Sequence, residues 1–243
     1  MSIFYIAPEI ELRICLCGGG QIEPVFVRKI GPDLVFGRLR QAMRLAEIVA
    51  GLAAKRKQGF DLERAVSLTV LHRLFASGSD RAAEVWKENS RIPGAEKLCL
   101  HQLYRTMGWL GEEIGQGLMG SPRCTKDLIE EALFDRGRDL FSEVGLVFFD
   151  TRPIYHKYDE TIRGHVFCSF LALCLKREFG LRLEARGWKA EWAEIIRGLD
   201  NLQQVELLLQ GSRFLLRGQI SGDALQALRA AEVAVAPVLQ EIT

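Results

Sequence analysis

The stretch Val147-Phe148-Phe149-Asp150-Thr151 runs directly into Arg152-Pro153-Ile154-Tyr155-His156-Lys157. Its first half is apolar and predicts a buried β-strand that ends at the carboxylate of Asp150. Its second half leads to Asp159, which is a good cap for a helical pattern that continues to about Arg177. The Thr151–Arg152 junction therefore separates a strand pattern from a long helix, and it divides the chain into a longer amino-terminal and a shorter carboxy-terminal side.

Helical periodicity dominates the amino-terminal side of this junction. Residues 1 to 33 are the exception, because Val25-Phe26-Val27 continues an alternation that predicts a short hairpin. From Leu34 onward the apolar spacing is helical. The predicted helices cover residues 34 to 57, Leu62 to about Ala76 with Asp61 as cap, Asp80 to Asn89 with Ser79 as cap, Leu98 to Ile114, and Lys126 to Arg136.

The carboxy-terminal side combines further helices with one hairpin. One helix is predicted from Lys189 to Leu202, and a last one begins after Ser221. Between them, Val205 to Leu209 and Arg213 to Arg217 flank a Gln-Gly-Ser turn, which predicts a hairpin. The sequence therefore predicts an α+β fold that is predominantly α-helical, with a β-like segment at 1–33, a helical domain at 34–143 and a third part at 144–243.

The two predicted helices joined by Ser77-Gly78-Ser79 form a unit whose role the pattern leaves open. A helix-turn-helix would lay its second helix into a DNA groove, but an ordinary antiparallel helix pair is about as common. The helical domain at 34–143 is therefore potentially DNA-binding. The candidate side chains for phosphate contacts are Arg64, Arg73, Arg81 and Lys87.

Composition alone describes an ordinary chain of one or two domains. It has 243 residues, of which 48% are hydrophobic and 26% charged, with a net charge of +1. The six cysteines show no paired CxxC spacing, so neither a zinc site nor a disulfide framework is indicated. The apolar stretch from Val166 to Leu175 is far shorter than a bilayer span, and the first residues lack the pattern of a secretion signal. We therefore expect a cytoplasmic protein without a membrane partner.

The basic and histidine residues give weaker signals. Residues 152 to 189 carry eight Lys or Arg against four Asp or Glu, which could meet phosphate, although a solvated helix face is the commoner reason. His72 and His101 could also contact phosphate, but a local hydrogen bond on a helix is the better interpretation. His156 and His165 are nine positions apart, unlike the one-turn spacing of a helical metal pair, so no metal is assigned to them.

Several stretches resemble the DDE transposases of bacterial insertion sequences, whose catalytic domain has an RNase H-like fold. They include residues 30–40, Leu71-His72-Arg73-Leu74-Phe75, Ser77-Gly78-Ser79-Asp80-Arg81, Leu100-His101-Gln102-Leu103-Tyr104-Arg105, Arg152-Pro153-Ile154-Tyr155-His156-Lys157 and Asp159-Glu160-Thr161-Ile162-Arg163-Gly164-His165-Val166. In these enzymes most of a catalytic domain separates the two sides of the junction. The resemblance therefore implies that residues 144–243 are a remnant of that domain with a helical tail.

The family's chemistry needs three carboxylates that hold two divalent metal ions, Mg2+ or Mn2+. The resemblance implies that Asp150 is the first carboxylate. The third is expected in a Tyr-x2-Arg-x3-Glu-x6-Lys block, yet none of the four tyrosines is followed by arginine three positions on. Neither strand-like run after Asp150 ends in an aspartate. We therefore expect a catalytically inactive form that needs no cofactor, with Asp150 as the only recognisable metal ligand.

These observations lead to two main hypotheses about function. The first is a transposase-derived protein that binds transposon-end DNA but cannot catalyse strand transfer. The second is a non-enzymatic interaction protein that pairs with intact transposase subunits and inhibits them, and a homo-oligomer is a related possibility. Salt-sensitive DNA binding would favour the first and co-purification with intact subunits the second. A third possibility is a decaying gene product that folds only in part.

Overall fold

Helices joined to a small antiparallel sheet make up the part of the chain that the structure describes. It is a computed structural model, and it describes residues 2–7, 10–14, 22–117, 120–135, 156–209 and 211–242. The predicted strand before Asp150, Asp150 itself and the Thr151–Arg152 junction lie outside these residues. Within them, an α+β fold with a predominance of helix is confirmed.

The described residues form eight strands and nine α-helices. The strands are β1 (Ser2–Ala7), β2 (Ile10–Ile14), β3 (Ile22–Lys29), β4 (Glu113–Gln116), β5 (Pro122–Cys124), β6 (Gln203–Leu209), β7 (Ser212–Arg217) and β8 (Leu239–Ile242). The helices are α1 (Arg38–Ala42), α2 (Leu45–Ala53), α3 (Leu62–Phe75), α4 (Asp80–Trp86), α5 (Leu100–Gly111), α6 (Thr125–Phe134), α7 (Asp159–Glu184), α8 (Trp192–Asp200) and α9 (Gly222–Ala230). A π-helical turn, Asp33–Gly37, precedes α1, and a 3-10 turn, Lys87–Asn89, follows α4.

Side-chain caps fix the starts of three helices where the sequence predicts them. Asp61 accepts a hydrogen bond from the Arg64 backbone N–H at 3.1 Å, and α3 begins at the next residue. The Ser79 hydroxyl accepts from the backbone of α4 at 3.2 Å, and Ser221 does the same for α9 at 3.3 Å. These predictions are confirmed because a cap depends on a few neighbouring residues only.

Several predicted helices differ from the structure in their bounds. The helix predicted from Leu98 to Ile114 is shorter, since α5 spans Leu100–Gly111 and Ile114 lies in β4. The pattern from residue 34 to 57 does not form one helix, because Arg44 adopts a left-handed conformation with φ of 56° and separates α1 from α2. The long helix α7 has 26 residues and begins at Asp159 itself, so Asp159 is its first residue and Tyr158 its cap position. None of the described helices combines the length and apolar character needed to cross a membrane.

The largest sheet joins β3 to three strands from the other side of the junction. Its strand order is β3-β6-β7-β8, and every neighbouring pair is antiparallel. The predicted hairpin is confirmed as β6 and β7, with Val205 opposite Leu216. Residues 1 to 33 contain the antiparallel pair β1–β2, with Ser2 opposite Ile14. Val25-Phe26-Val27 is confirmed as part of β3, which pairs with β6 so that Lys29 lies opposite Gln203.

One hydrophobic core holds the helices together. Phe36, in the π-helical turn, is completely buried and its ring centroid lies 5.4 Å from that of Phe179 on α7 and 5.9 Å from that of Trp192 on α8. Burying an aromatic side chain of this kind stabilises a fold by roughly 1.5–3 kcal/mol. Helices from the predicted ranges 34–143 and 144–243 therefore share this core. The predicted boundary between the two ranges lies outside the described residues.

The closest helix contact in the core is between α5 and α7. Gly164 of α7 faces the carbonyl oxygen of Met107 on α5, and a Cβ atom at Gly164 would overlap that oxygen. A Cβ atom at Gly111, the last residue of α5, would likewise overlap the carbonyl oxygen of Glu160. Glycine at these two positions allows direct backbone contact between helices that come from opposite sides of the junction.

Candidate functional site

Four polar side chains meet in the interior where α3, α4 and the start of α7 come together. Arg73 lies near the end of α3, and Asp80 is the first residue of α4. His156 precedes α7, and His165 lies on its second turn. The Asp80 side chain has no exposed surface, and those of Arg73 and His156 are 6% and 8% exposed. We call these residues the Arg73–Asp80–His156–His165 cluster.

Arg73 makes most of the contacts within the cluster. Its Nη2 atom lies 3.4 Å from Asp80 Oδ1 and 2.8 Å from His165 Nδ1. Its Nη1 atom lies 3.1 Å from His165 Nε2 and donates to the Gly78 carbonyl oxygen at 3.4 Å. A neutral imidazole has one nitrogen with a free lone pair, so only one of the two contacts to His165 is a hydrogen bond. Arg73 thus connects α3 to the turn before α4, to α4 itself and to α7.

His156 closes the other side of the cluster. Its Nε2 atom lies 3.1 Å from Asp80 Oδ2, the distance of an ion pair when the imidazole is protonated. Its ring centroid lies 5.0 Å from that of His165 and 5.4 Å from that of Tyr104 on α5, in both cases with a steep angle between the ring planes. His156 therefore brings the chain just beyond the junction against α4, α5 and α7.

Burial sets the charge state of the histidines in and beside the cluster. Burial, followed by the nearby Arg73 cation, lowers the pKa of His165 to about 4. The same two causes lower the pKa of His72, the residue before Arg73, to about 4. Burial alone would raise the pKa of Asp80, but His156 and Arg73 outweigh it, so the pKa of Asp80 is lowered. At neutral pH the Arg73 cation therefore faces the Asp80 anion beside a neutral His165.

Asp80, His156 and His165 are also the one group of three possible metal ligands found in the described ranges. Their ligand atoms lie within 4.8 Å of one another. Two histidines and one carboxylate could hold a transition metal in other surroundings. Here Arg73 already balances the single carboxylate, and a divalent ion would add uncompensated positive charge to a buried site. The donor set does not fit a metal ion for this reason, and its contacts are those of a polar network that joins helices.

The side chains predicted to contact DNA lie in different environments. Arg64 is ion-paired with Glu63 at 2.5 Å, and Lys87 with Glu88 at 2.7 Å. Arg73 is in the buried cluster. Arg81, on the surface of α4, is exposed and has no ion-pair partner in the parts of the chain that the structure describes. All four assignments stay predictions, and Arg81 is the one whose charge is directed to solvent.

Sequence reasoning missed the Arg73–Asp80–His156–His165 cluster. The nine-residue separation of His156 and His165 gave no signal, because His156 precedes α7 and the helical period does not govern its distance from His165. The available signal was different: each cluster residue, like Tyr104, lies in one of the stretches from which a resemblance to the insertion-sequence transposases is predicted. No protein-family model, curated protein or solved structure matches the chain.

Proposed function

We propose that this chain is a transposase-derived DNA-binding protein of an insertion sequence that lacks the machinery for strand transfer. In this proposal residues 144–243 descend from an RNase H-like catalytic domain. The helices that remain on the two sides of the Thr151–Arg152 junction pack directly against each other. The protein then occupies DNA without cutting or joining it.

The observation that carries the proposal is where the transposase-like stretches lie in the fold. Arg73 and Asp80 come from two such stretches, Tyr104 from a third, and His156 and His165 from two more beyond the junction. These residues contact one another in a single buried cluster. The stretch from Asp159 to Val166 also supplies Gly164, which makes a direct backbone contact with Met107 of α5. Residues that form one core fold together, so the shortened chain has a helical unit with packing of its own.

The small number of candidate carboxylates is the reason for proposing that catalysis is lost. A two-metal mechanism needs several acidic oxygens around the same pair of ions. Asp150 lies outside the described residues, and within them the one group of three possible ligands contains a single carboxylate, Asp80. That carboxylate faces Arg73 and His156 instead of solvent.

The part proposed to bind DNA is the unit formed by α3 and α4. Ala76 to Ser79 make a tight turn, with Ser77 and Gly78 at positive φ, and α4 follows on the surface. On α4, Arg81 and Ala82 are exposed, and Val85 is 62% exposed, whereas Ala83 is fully buried. A short helix with one face in the core and an open face bearing arginine can approach a DNA groove.

The test uses the full chain and labelled duplex DNA. We expect binding that weakens as salt rises, because phosphate contacts release counterions. We also expect no nicking or joining of transposon-end DNA with Mg2+ or Mn2+. The absence of salt-dependent binding would contradict the first part of the proposal. Metal-dependent cleavage that disappears in Asp150→Asn would contradict the second part.

The alternative function, pairing with intact transposase subunits, is favoured by one feature of the sheet. Among the described strands of this sheet, β3 is an edge strand, and its Phe26 side chain is 55% exposed. An edge strand offers backbone groups that can pair with another chain. Co-purification with an intact subunit that is lost in Phe26→Lys, while DNA binding is unchanged, would support this function.

A further inference from the structure

We propose that the DNA-contacting surface extends across the Thr151–Arg152 junction, so that Arg81 on α4 and Lys157 before α7 bind the same duplex. This inference rests on the proposed DNA-binding function and assigns its contact surface. The partner is the phosphate backbone of double-stranded DNA.

The two basic residues are neighbours, in the sequence, of residues in the buried cluster. Arg81 directly follows Asp80, and Lys157 directly follows His156. Asp80 Oδ2 and His156 Nε2 are 3.1 Å apart. Each basic residue is therefore next in the chain to one partner of the same buried contact. Both are exposed, and neither has an ion-pair partner within the described ranges. The Asp80–His156 contact thus brings the backbone of these two exposed cations close together.

The second step concerns the polar and aromatic residues around these cations. Tyr104 packs on His156 with 40% of its surface exposed, and Tyr158 is 69% exposed. His101 is exposed one helical turn before Tyr104, on the same face of α5. Tyrosine hydroxyls and histidine can donate hydrogen bonds to phosphate oxygens, as in many protein–DNA interfaces. These side chains extend the surface between α4 and α7.

The third step concerns the acids close by, which could cancel the positive charge. The carboxylate of Glu84 on α4 accepts a hydrogen bond from the backbone N–H of Leu100 at 2.8 Å. Asp159 and Glu160, which follow Tyr158, line a groove with Arg56, Arg105 and Arg163, and with Glu112 and Glu113, which pair with Arg56 and Arg163. Within the described ranges none of these acids pairs with Arg81 or Lys157. The charge of Arg81 and Lys157 is left for an external anion.

The experiment measures duplex affinity at several salt concentrations for the full chain and three single variants. Arg81→Ala and Lys157→Ala remove the proposed contacts. Lys189→Ala is the matched control, because Lys189 is also exposed but lies beyond the far end of α7, roughly 39 Å along a 26-residue helix. All three positions are on the surface, and thermal melts will show whether each variant is folded like the wild type.

We expect Arg81→Ala and Lys157→Ala each to weaken binding and to reduce the slope of log affinity against log salt by about 1. Lys189→Ala should leave both quantities unchanged. If Lys157→Ala behaves like Lys189→Ala while the wild type binds DNA, the surface does not cross the junction and the inference is overturned. If the wild type itself does not bind, the proposed function fails instead, so the two failures are distinguishable.

Discussion

Two glycine-to-alanine substitutions on the same helix should change stability in opposite directions. Gly164 and Gly180 both lie within α7, and alanine is favoured over glycine in a helix interior by about 1 kcal/mol. At Gly180 a Cβ atom meets nothing within 4 Å, so Gly180→Ala should gain most of that amount. At Gly164 the Cβ atom would overlap the Met107 carbonyl oxygen, which is backbone and cannot rotate away.

The size of the stability change in Gly164→Ala depends on how α5 and α7 make room for the new Cβ atom. In Gly164→Ala, α5 and α7 have to separate, and overpacking of this kind costs about 1–3 kcal/mol or more. The buried side chains beside the contact, Leu103 and Leu171 among them, would lose part of their packing. After the helix-propensity gain is subtracted, the free energy of unfolding of Gly164→Ala should fall by up to about 2 kcal/mol. The two variants should then differ by about 1–3 kcal/mol.

Urea unfolding followed by far-UV circular dichroism measures this difference. Equal slopes of free energy against urea concentration for the wild type and both variants would show that the midpoints report stability alone. The reasoning is refuted if Gly164→Ala is as stable as Gly180→Ala, because the two helices would then not be in backbone contact.

Two further predictions concern the buried cluster and the neighbouring His72. In urea unfolding, Asp80→Ala should lower the free energy of unfolding by about 3 kcal/mol, because it leaves the buried Arg73 cation unpaired. Glu194→Ala, which breaks an exposed ion pair, is the control and should stay within about 0.5 kcal/mol of wild type. Combining Asp80→Ala with Arg73→Met should recover part of the loss, and a double variant no better than Asp80→Ala would argue against the pairing. Thermal stability should be highest above pH 6.5 and fall as the pH drops toward 4, because the pKa values of His72 and His165 are about 4 in the fold against 6.5 when unfolded. The unfolded chain then binds more protons in this window, worth at most about 1.4 kcal/mol per pH unit for each histidine. A His72→Leu variant should show a shallower pH dependence, and an unchanged slope would contradict the assignment.

Local features of this fold could be predicted from the sequence. The caps at Asp61, Ser79 and Ser221 and the β6–β7 hairpin depend on residues a few positions apart, and the structure has all of them. The break between α1 and α2 could not be predicted, because it falls at Arg44, a residue with no intrinsic preference for positive φ. The partner of β3 is also set by distant packing.

The candidate site was harder to predict than the fold. Arg73 reads as a cation available to DNA, but only the tertiary arrangement shows that it is buried against Asp80. Lys87 pairs with Glu88, its neighbour in the sequence. His156 precedes α7 and contacts Asp80 of α4, so its approach to His165 depends on tertiary packing. Such a contact has no period in the sequence.

The pairing of β3 with β6 has a consequence for how the protein is made. Lys29, at the end of β3, and Asp200, just before β6, form an ion pair although 171 residues separate them. At about 5–20 residues per second, a ribosome needs roughly 10–35 s to synthesise that interval. During this time β3 has been translated but its sheet partner has not, so its backbone groups stay open to water, to chaperones or to other nascent chains. The sheet can close only late in translation, after most of the helical core has left the ribosome.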